Sequence, residues 1–198
     1  VIQQLRNIHA MLDIALVGSG PTALDYNPAH HDLGIAINGA IQLADAIANA
    51  FEYLIMFDTS LPHKPWFKDH PEVQRILGYE LAKMFTPPED AIIFQYIERN
   101  MVVDPRSLTE LSAVDNIGIP ALETAAIMGP RKITIYGIDM ARRDYFYGGG
   151  KGVYGNNGRT VSYMNELIAL LHNTGTEIVI KGSPSCKLHL PGRTSYEA

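Results

Sequence analysis

Gly18, Ser19, Gly20, Pro21 and Thr22 follow directly on the apolar run Ile14-Ala15-Leu16-Val17. A buried strand that runs into two glycines one residue apart lets backbone amides approach a phosphate, and Pro21 suits a first helical position. The arrangement recurs at Ile133-Thr134-Ile135-Tyr136-Gly137-Ile138-Asp139-Met140, with a carboxylate just past the strand. Gly18-x-Gly20-x-x-Ala23 departs from the dinucleotide fingerprint, because 24–28 break the long helix and no carboxylate closes the second strand. No Gly-Lys-Ser or Gly-Lys-Thr makes it a P-loop. Spacing alone leaves phosphate binding and a merely tight strand-to-helix turn as equal readings.

Other polar residues stand at expected strand ends. Asn38 suits a phosphate or ribose contact, or simply a turn at positive φ. Asp58 suits Mg²⁺, a ribose hydroxyl or general-base work, or an Asx-turn beside Thr59 and Ser60. Asp58 and Asp139 together make a candidate metal pair, although two carboxylates alone do not specify one. Arg142 and Arg143 suit phosphate oxygens or a solvated surface. Tyr145, Tyr147 and Tyr154 lie among glycines at 148–150, 152 and 155, the composition of a loop that closes over a ligand or of a disordered surface loop. Among the histidines, His63 in the loop after the third strand is the best placed base; His30, His31, His70, His172 and His189 read as surface or tail residues. Cys186 reads as structural by default. No His/Cys/Asp cluster suggests structural zinc, and no Gly-x-Ser-x-Gly element suggests a hydrolase.

The elements that must position these residues alternate between strand and helix. Strands are expected over 14–17, 34–37, 53–57, 91–95, 132–136 and 177–180, with a short one over 101–103. Helices are expected over 1–12, 40–50, 71–85, 120–128 and 160–173, the last capped near Gly175. The strands are nearly all apolar, as in a parallel sheet covered on both faces. The pattern predicts one α/β domain over 1–198: a Rossmann-like, doubly wound, mainly parallel sheet of five or six strands flanked by helices. Ligands then belong at the carboxyl ends of the strands.

Composition sets the outer limits. The chain has 198 residues, 46% hydrophobic, and a formal net charge of -5. That balance argues against bulk binding to nucleic acid. No run of 18 apolar residues spans a bilayer, nothing resembles a signal peptide, and one cysteine rules out an internal disulfide. A cytoplasmic location is expected. The missing initiator methionine is what a piece of a longer chain would show, and an open sheet edge would allow pairing with a second copy.

The residues Leu16 to Thr22, Asn38, and Ile133 to Met140 resemble bacterial sialyltransferases that modify lipooligosaccharide. They resemble still more the related motility accessory factors and archaeal hydroxymethylpterin pyrophosphokinases. The resemblance runs from Ile14 to Ser185 through short motifs. It implies that 18–22 contact the phosphate and ribose of a CMP-sugar and that Asn38 faces the nucleotide. It also implies that Asp139 is the acid of a Gly-x-Asp element and that Ser183-Pro184-Ser185 form a nucleotide-contacting loop. Ser19 and Asp58 stand where the sialyltransferases carry asparagine, and Asp58 favours the other two groups. The stretch 145–159 lacks the histidine that serves those enzymes as base.

Three functions follow as expectations. The first is a glycosyltransferase that moves sugar from a nucleotide-sugar to a glycan or small-molecule acceptor. Gly18, Ser19, Gly20, Pro21, Thr22, Asn38, Thr59, Asp139 and Ser183 would hold the nucleotide, with Asp58, His63, Tyr145, Tyr147 and Tyr154 at the chemistry. The second is ATP-dependent phosphoryl or pyrophosphoryl transfer with Mg²⁺ on Asp58 and Asp139. The third is a catalytically silent nucleotide or glycan sensor.

Overall fold

The strand-forming runs are rich in isoleucine, leucine and valine, side chains that pack well when both faces of a strand are covered. The structure, a computed structural model, describes residues 2–112, 116–140, 145–146, 158–183 and 186–191. In chain order the strands are β1 (Asp13–Val17), β2 (Leu33–Ile37), β3 (Tyr53–Met56), β4 (Gln74–Gly78), β5 (Ile92–Phe94), β6 (Tyr96–Ile97), β7 (Leu111–Ser112), β8 (Lys132–Tyr136) and β9 (Glu177–Lys181). Seven form one sheet in the order β5-β4-β3-β2-β1-β8-β9, and β6 pairs with β7 in a separate ribbon. Every pairing in the large sheet is parallel. The expected α/β class with a parallel sheet stands, with seven strands rather than five or six.

The period of two along each strand divides the core. Ile14, Leu16, Ile35, Ile133 and Ile135 lie under α2 (Gly118–Ile127) and α3 (Gly158–Asn173). Ala15, Val17, Ala36, Leu54 and Met56 face the other way, under 3-10 segments at Pro21–Asp25, Asn38–Asp45 and Pro65–Lys68. Alanines at 15, 23, 36 and 40 let these tight segments sit close to the strands. Connections among β1 to β5 thus cover one face, and the helices that bracket β8 cover the other. The winding direction reverses at β1, and open sheets of this kind bind ligands outside the carboxyl ends of the strands at such a point.

Several expected elements differ. The helix over 71–85 is instead β4 followed by the four-residue α1 (Tyr79–Ala82). Val73, Ile76, Leu77 and Leu81 fit a helical stripe, but Ile76 and Leu77 point to opposite faces of the sheet and both are buried. Short apolar runs do not separate the two periods. The helix over 40–50 is 3-10 and spans Asn38–Asp45. The strand over 101–103 is absent, its place in the ribbon taken by β6 and β7.

The amphipathic helix over 1–12 is reduced to a 3-10 turn at Ile2–Leu5, because Asn7 and Met11 adopt positive φ. Amides of Asn7, His9 and Met11 then donate to the carbonyls of Ile127, Met128 and Gly129. These are the carbonyls that a helix leaves unpaired at its end, so the segment caps α2. No helix among the described residues is long and apolar enough to cross a membrane.

Candidate functional site

At the reversal point the ends of β1 and β8 interlock. Gly18 N–H donates to the Tyr136 carbonyl at 2.8 Å, and Gly20 N–H to the Gly137 carbonyl at 2.9 Å. Gly137 N–H donates to Thr22 Oγ1 at 2.8 Å. A Cβ on Gly18 would lie 2.6 Å from the Gly137 oxygen, and one on Gly137, at φ +63°, would lie 2.6 Å from the Gly18 oxygen. The glycines are therefore demanded by backbone-to-backbone approach. This corrects one expectation: the Gly18 and Gly20 amides are already spent inside the fold and are not presented to a phosphate. Pro21 opens the 3-10 segment, as expected of a first helical position.

Asn38 follows β2 at φ +50°, the turn geometry its type permits. Its Oδ1 is buried and has no hydrogen-bond partner among the described residues. Asp139, three residues past β8, is only 5% exposed. Its Oδ1 accepts from Ser183 N–H at 3.3 Å, and its backbone carbonyl accepts from Lys187 N–H at 2.9 Å. Its Oδ2 is buried without a hydrogen-bond partner among the described residues. Ser183 and Cys186 are buried with it. Burial pushes the Cys186 thiol up to about 11, and the Asp139 carboxylate adds to the shift. Cys186 is thus an inert thiol that packs against the site.

The β3 end contributes exposed groups. Asp58 Oδ1 accepts from Ser60 N–H at 2.8 Å, the Asx-turn reading. Thr59 is exposed, and His63 is exposed in a 3-10 turn. Tyr145 is half-buried, and burial, with the Asp58 charge second, raises its phenol above the ordinary value. The neighbouring Phe146 donates its N–H to the Ser19 carbonyl at 3.1 Å and packs on the apolar cluster beneath the β1 turn. Residues 145–146 therefore lie against the β1 turn, within reach of the Asp58 charge at the β3 end. Tyr147, Tyr154, Arg142, Arg143, Pro184 and Ser185 lie outside the described residues.

The proposed metal pair fares less well. Asp139 is sealed against Ser183 and Cys186, whereas Asp58 is exposed in its own turn. Among the described residues no group of three His, Cys, Asp or Glu side chains could hold a metal ion. This donor set does not fit a preformed Mg²⁺ site.

Two polar networks escaped the sequence reading. Glu123 on α2 is fully buried; its carboxylate accepts from Ser112 N–H at 2.7 Å, from Ser112 Oγ, and from Tyr163 Oη at 3.3 Å. Desolvation raises its pKa, while the Ser112 bonds and nearby Arg99 oppose the rise. A single acid in the apolar stretch 117–128 was the available signal, since an unpaired carboxylate is rarely buried. In the second network His31 Nε2 meets Tyr136 Oη at 3.0 Å, beside the stacked Tyr26 and Phe51 rings. Burial lowers the His31 pKa, which favours the neutral ring.

No family model matches the sequence, and comparison with curated proteins gives no match. Among solved structures, that of MAf glycosyltransferase from Magnetospirillum magneticum AMB-1 aligns with 98% of this chain at 13% identity and a TM-score of 0.49. The chain spans 38% of that protein's length. A likeness at that level carries no argument about activity.

Proposed function

We propose that the chain is a nucleotide-dependent transferase that moves a sugar from a nucleotide-sugar, a CMP-sugar before others, to a hydroxyl of a glycan acceptor. One observation carries the reading: the β1–β8 reversal point brings Thr22, Asn38, Asp139 and Ser183 to the sheet edge where open α/β sheets bind nucleotides. Tyr145 supports transfer rather than binding alone. A tyrosine phenol is protonated at neutral pH, so Tyr145, half-buried beside the β1 turn, can donate to the leaving phosphate oxygen. Asp58, whose charge reaches Tyr145, is the candidate base, with exposed His63 as the neighbouring choice. In this step a bond forms between the acceptor oxygen and the anomeric carbon. The bond from that carbon to the phosphate oxygen breaks, the nucleotide leaves with the electron pair, and Asp58 takes the acceptor proton.

The test is a thermal-shift panel of CMP, CDP, UDP, GDP and ATP, each with and without Mg²⁺. A ligand that binds the folded state raises its apparent melting temperature. Stabilisation by CMP or CDP without metal is expected. Stabilisation by ATP only when Mg²⁺ is present would replace this reading with phosphoryl transfer, and no response to any nucleotide would overturn it. With an active donor in hand, Tyr145→Phe should lower kcat by about tenfold to a hundredfold and leave KM nearly unchanged, because the phenol acts on the leaving group.

A further inference from the structure

His31 reaches across the sheet to the reversal point. It stands just before the amino end of β2, whereas Tyr136 closes the carboxyl end of β8, and β1 lies between the two strands. The 3.0 Å contact between His31 Nε2 and Tyr136 Oη therefore spans β1 and ties opposite ends of its two neighbours. Tyr26 packs on both rings, stacked on His31 and edge-on to Tyr136. Tyr136 in turn holds the β1 turn. Its carbonyl accepts from Gly18 N–H at 2.8 Å, and the next carbonyl, that of Gly137, accepts from Gly20 N–H at 2.9 Å. The residue that His31 grips is thus the one on which the β1 turn is pinned.

The contact suits a neutral ring. His31 Nδ1 is buried and has no hydrogen-bond partner among the described residues. A neutral imidazole can leave that nitrogen bare, whereas an imidazolium carries N–H at both nitrogens. The second N–H would then be a buried, charged donor without an acceptor, which costs far more than an unused lone pair. The charged groups around the ring are already engaged. Asp13 Oδ1 accepts from the Arg131 guanidinium at 2.8 Å, and Asp32 Oδ2 accepts from Asp13 N–H at 2.9 Å. Lys132, ion-paired with Glu177, and the adjacent His30 both disfavour a further positive charge. Asp25 acts on the Tyr136 phenol. Asp13 and Asp32 partly offset the burial of the ring, which dominates.

We propose that His31 and Tyr136 form an acid-released latch: while neutral, His31 holds the end of β8 across β1, and its protonation frees Tyr136 and loosens the β1–β8 interlock. The step adds one solvent proton to the imidazole and breaks no covalent bond. It needs no ligand, so it stands apart from the transferase reading. The sign follows from burial, which lowers the folded-state pKa below the ordinary histidine value. Stability from the neutral ring is full above that ordinary value. It falls as pH drops from there toward the lowered one, because the unfolded chain binds the proton first.

Amide hydrogen exchange and histidine NMR titration on the full chain test the latch. Between about pH 7 and about pH 5, protection of the Gly18 and Gly20 amides, corrected for intrinsic exchange, should fall about tenfold. The fall should share its midpoint with the His31 ring, below the ordinary histidine value. His31→Gln keeps an amide toward Tyr136 Oη but does not titrate, so its protection should stay constant over the same range. His9 Nε2 makes a like contact with Tyr53 Oη, at 2.8 Å, at the start of β3. His9→Gln removes it and should leave the fall in place. If His31→Gln does not fold, the wild-type midpoints decide. Constant protection in the wild type, an equal fall in His31→Gln, loss of the fall in His9→Gln, or a His31 midpoint at or above the ordinary value overturns the latch.

Discussion

Gly137→Ala should cost about 3 kcal/mol of stability and lower the melting temperature by about 9 °C, measured by calorimetry or chemical denaturation. Two costs combine. The residue sits at φ +63°, where an L side chain is strained, and its new Cβ would meet the Gly18 carbonyl oxygen at 2.6 Å and the Gly20 nitrogen at 3.0 Å. These are backbone atoms, so no rotamer change relieves the contact. Gly175→Ala isolates the first cost. It has φ +98° but nothing within 4 Å of the added Cβ, so it should cost only about 1 kcal/mol. Equal losses in the two variants would show that the β1 and β8 ends are not in close contact. Because the same contact lies at the reversal point, Gly137→Ala should also reduce nucleotide-induced stabilisation in whatever fraction remains folded.

Glu123→Ala should be comparably damaging, at about 3 kcal/mol, since it strands the buried Ser112 amide, leaves the Ser112 hydroxyl and Tyr163 phenol with only each other, and opens a cavity in the core. Glu123→Gln keeps one acceptor but turns an amide donor toward Ser112, and should cost about half as much. The pH dependence has a definite sign. Burial raises the folded-state pKa above the unfolded value, so between the two the folded chain holds a proton that the unfolded chain has released. Stability from this group is full below the ordinary carboxylate range and falls as pH rises through the raised value. Wild type should therefore lose stability relative to Glu123→Gln across that window. A difference that stays flat with pH would show that Glu123 titrates normally.

The legible part of this chain was the part governed by burial on two faces. Runs such as Ile14 to Val17 and Ile133 to Tyr136 admit no amphipathic helix, and both are strands. β4 was not legible, because Arg75, Ile76 and Leu77 fit either period and only their neighbours in the sheet decide between them. The glycines announced a special turn correctly, but the sequence does not say whether a glycine makes room for a ligand or for another strand. Gly137, far away in the chain, answers that for Gly18 and Gly20. Asp139 was visible as a carboxylate past a strand end. Its sealed, half-satisfied state depends on Ser183 and Cys186, which no local pattern connects to it. Ser112, Glu123 and Tyr163 come from three separate elements, so the network exists only after they pack.

The partnership of Thr22 with Gly137 joins positions 115 residues apart, and β1 lies between one strand made early and one made late. During synthesis β1 to β5 can zip together while the other edge of β1 waits for β8. Closing so long a loop slows the last step of folding, and in the interval an apolar edge is open to wrong partners. The candidate site is consequently among the last features to form, and a ribosome-bound chain that stops short of β8 has most of its sheet and none of its reversal point.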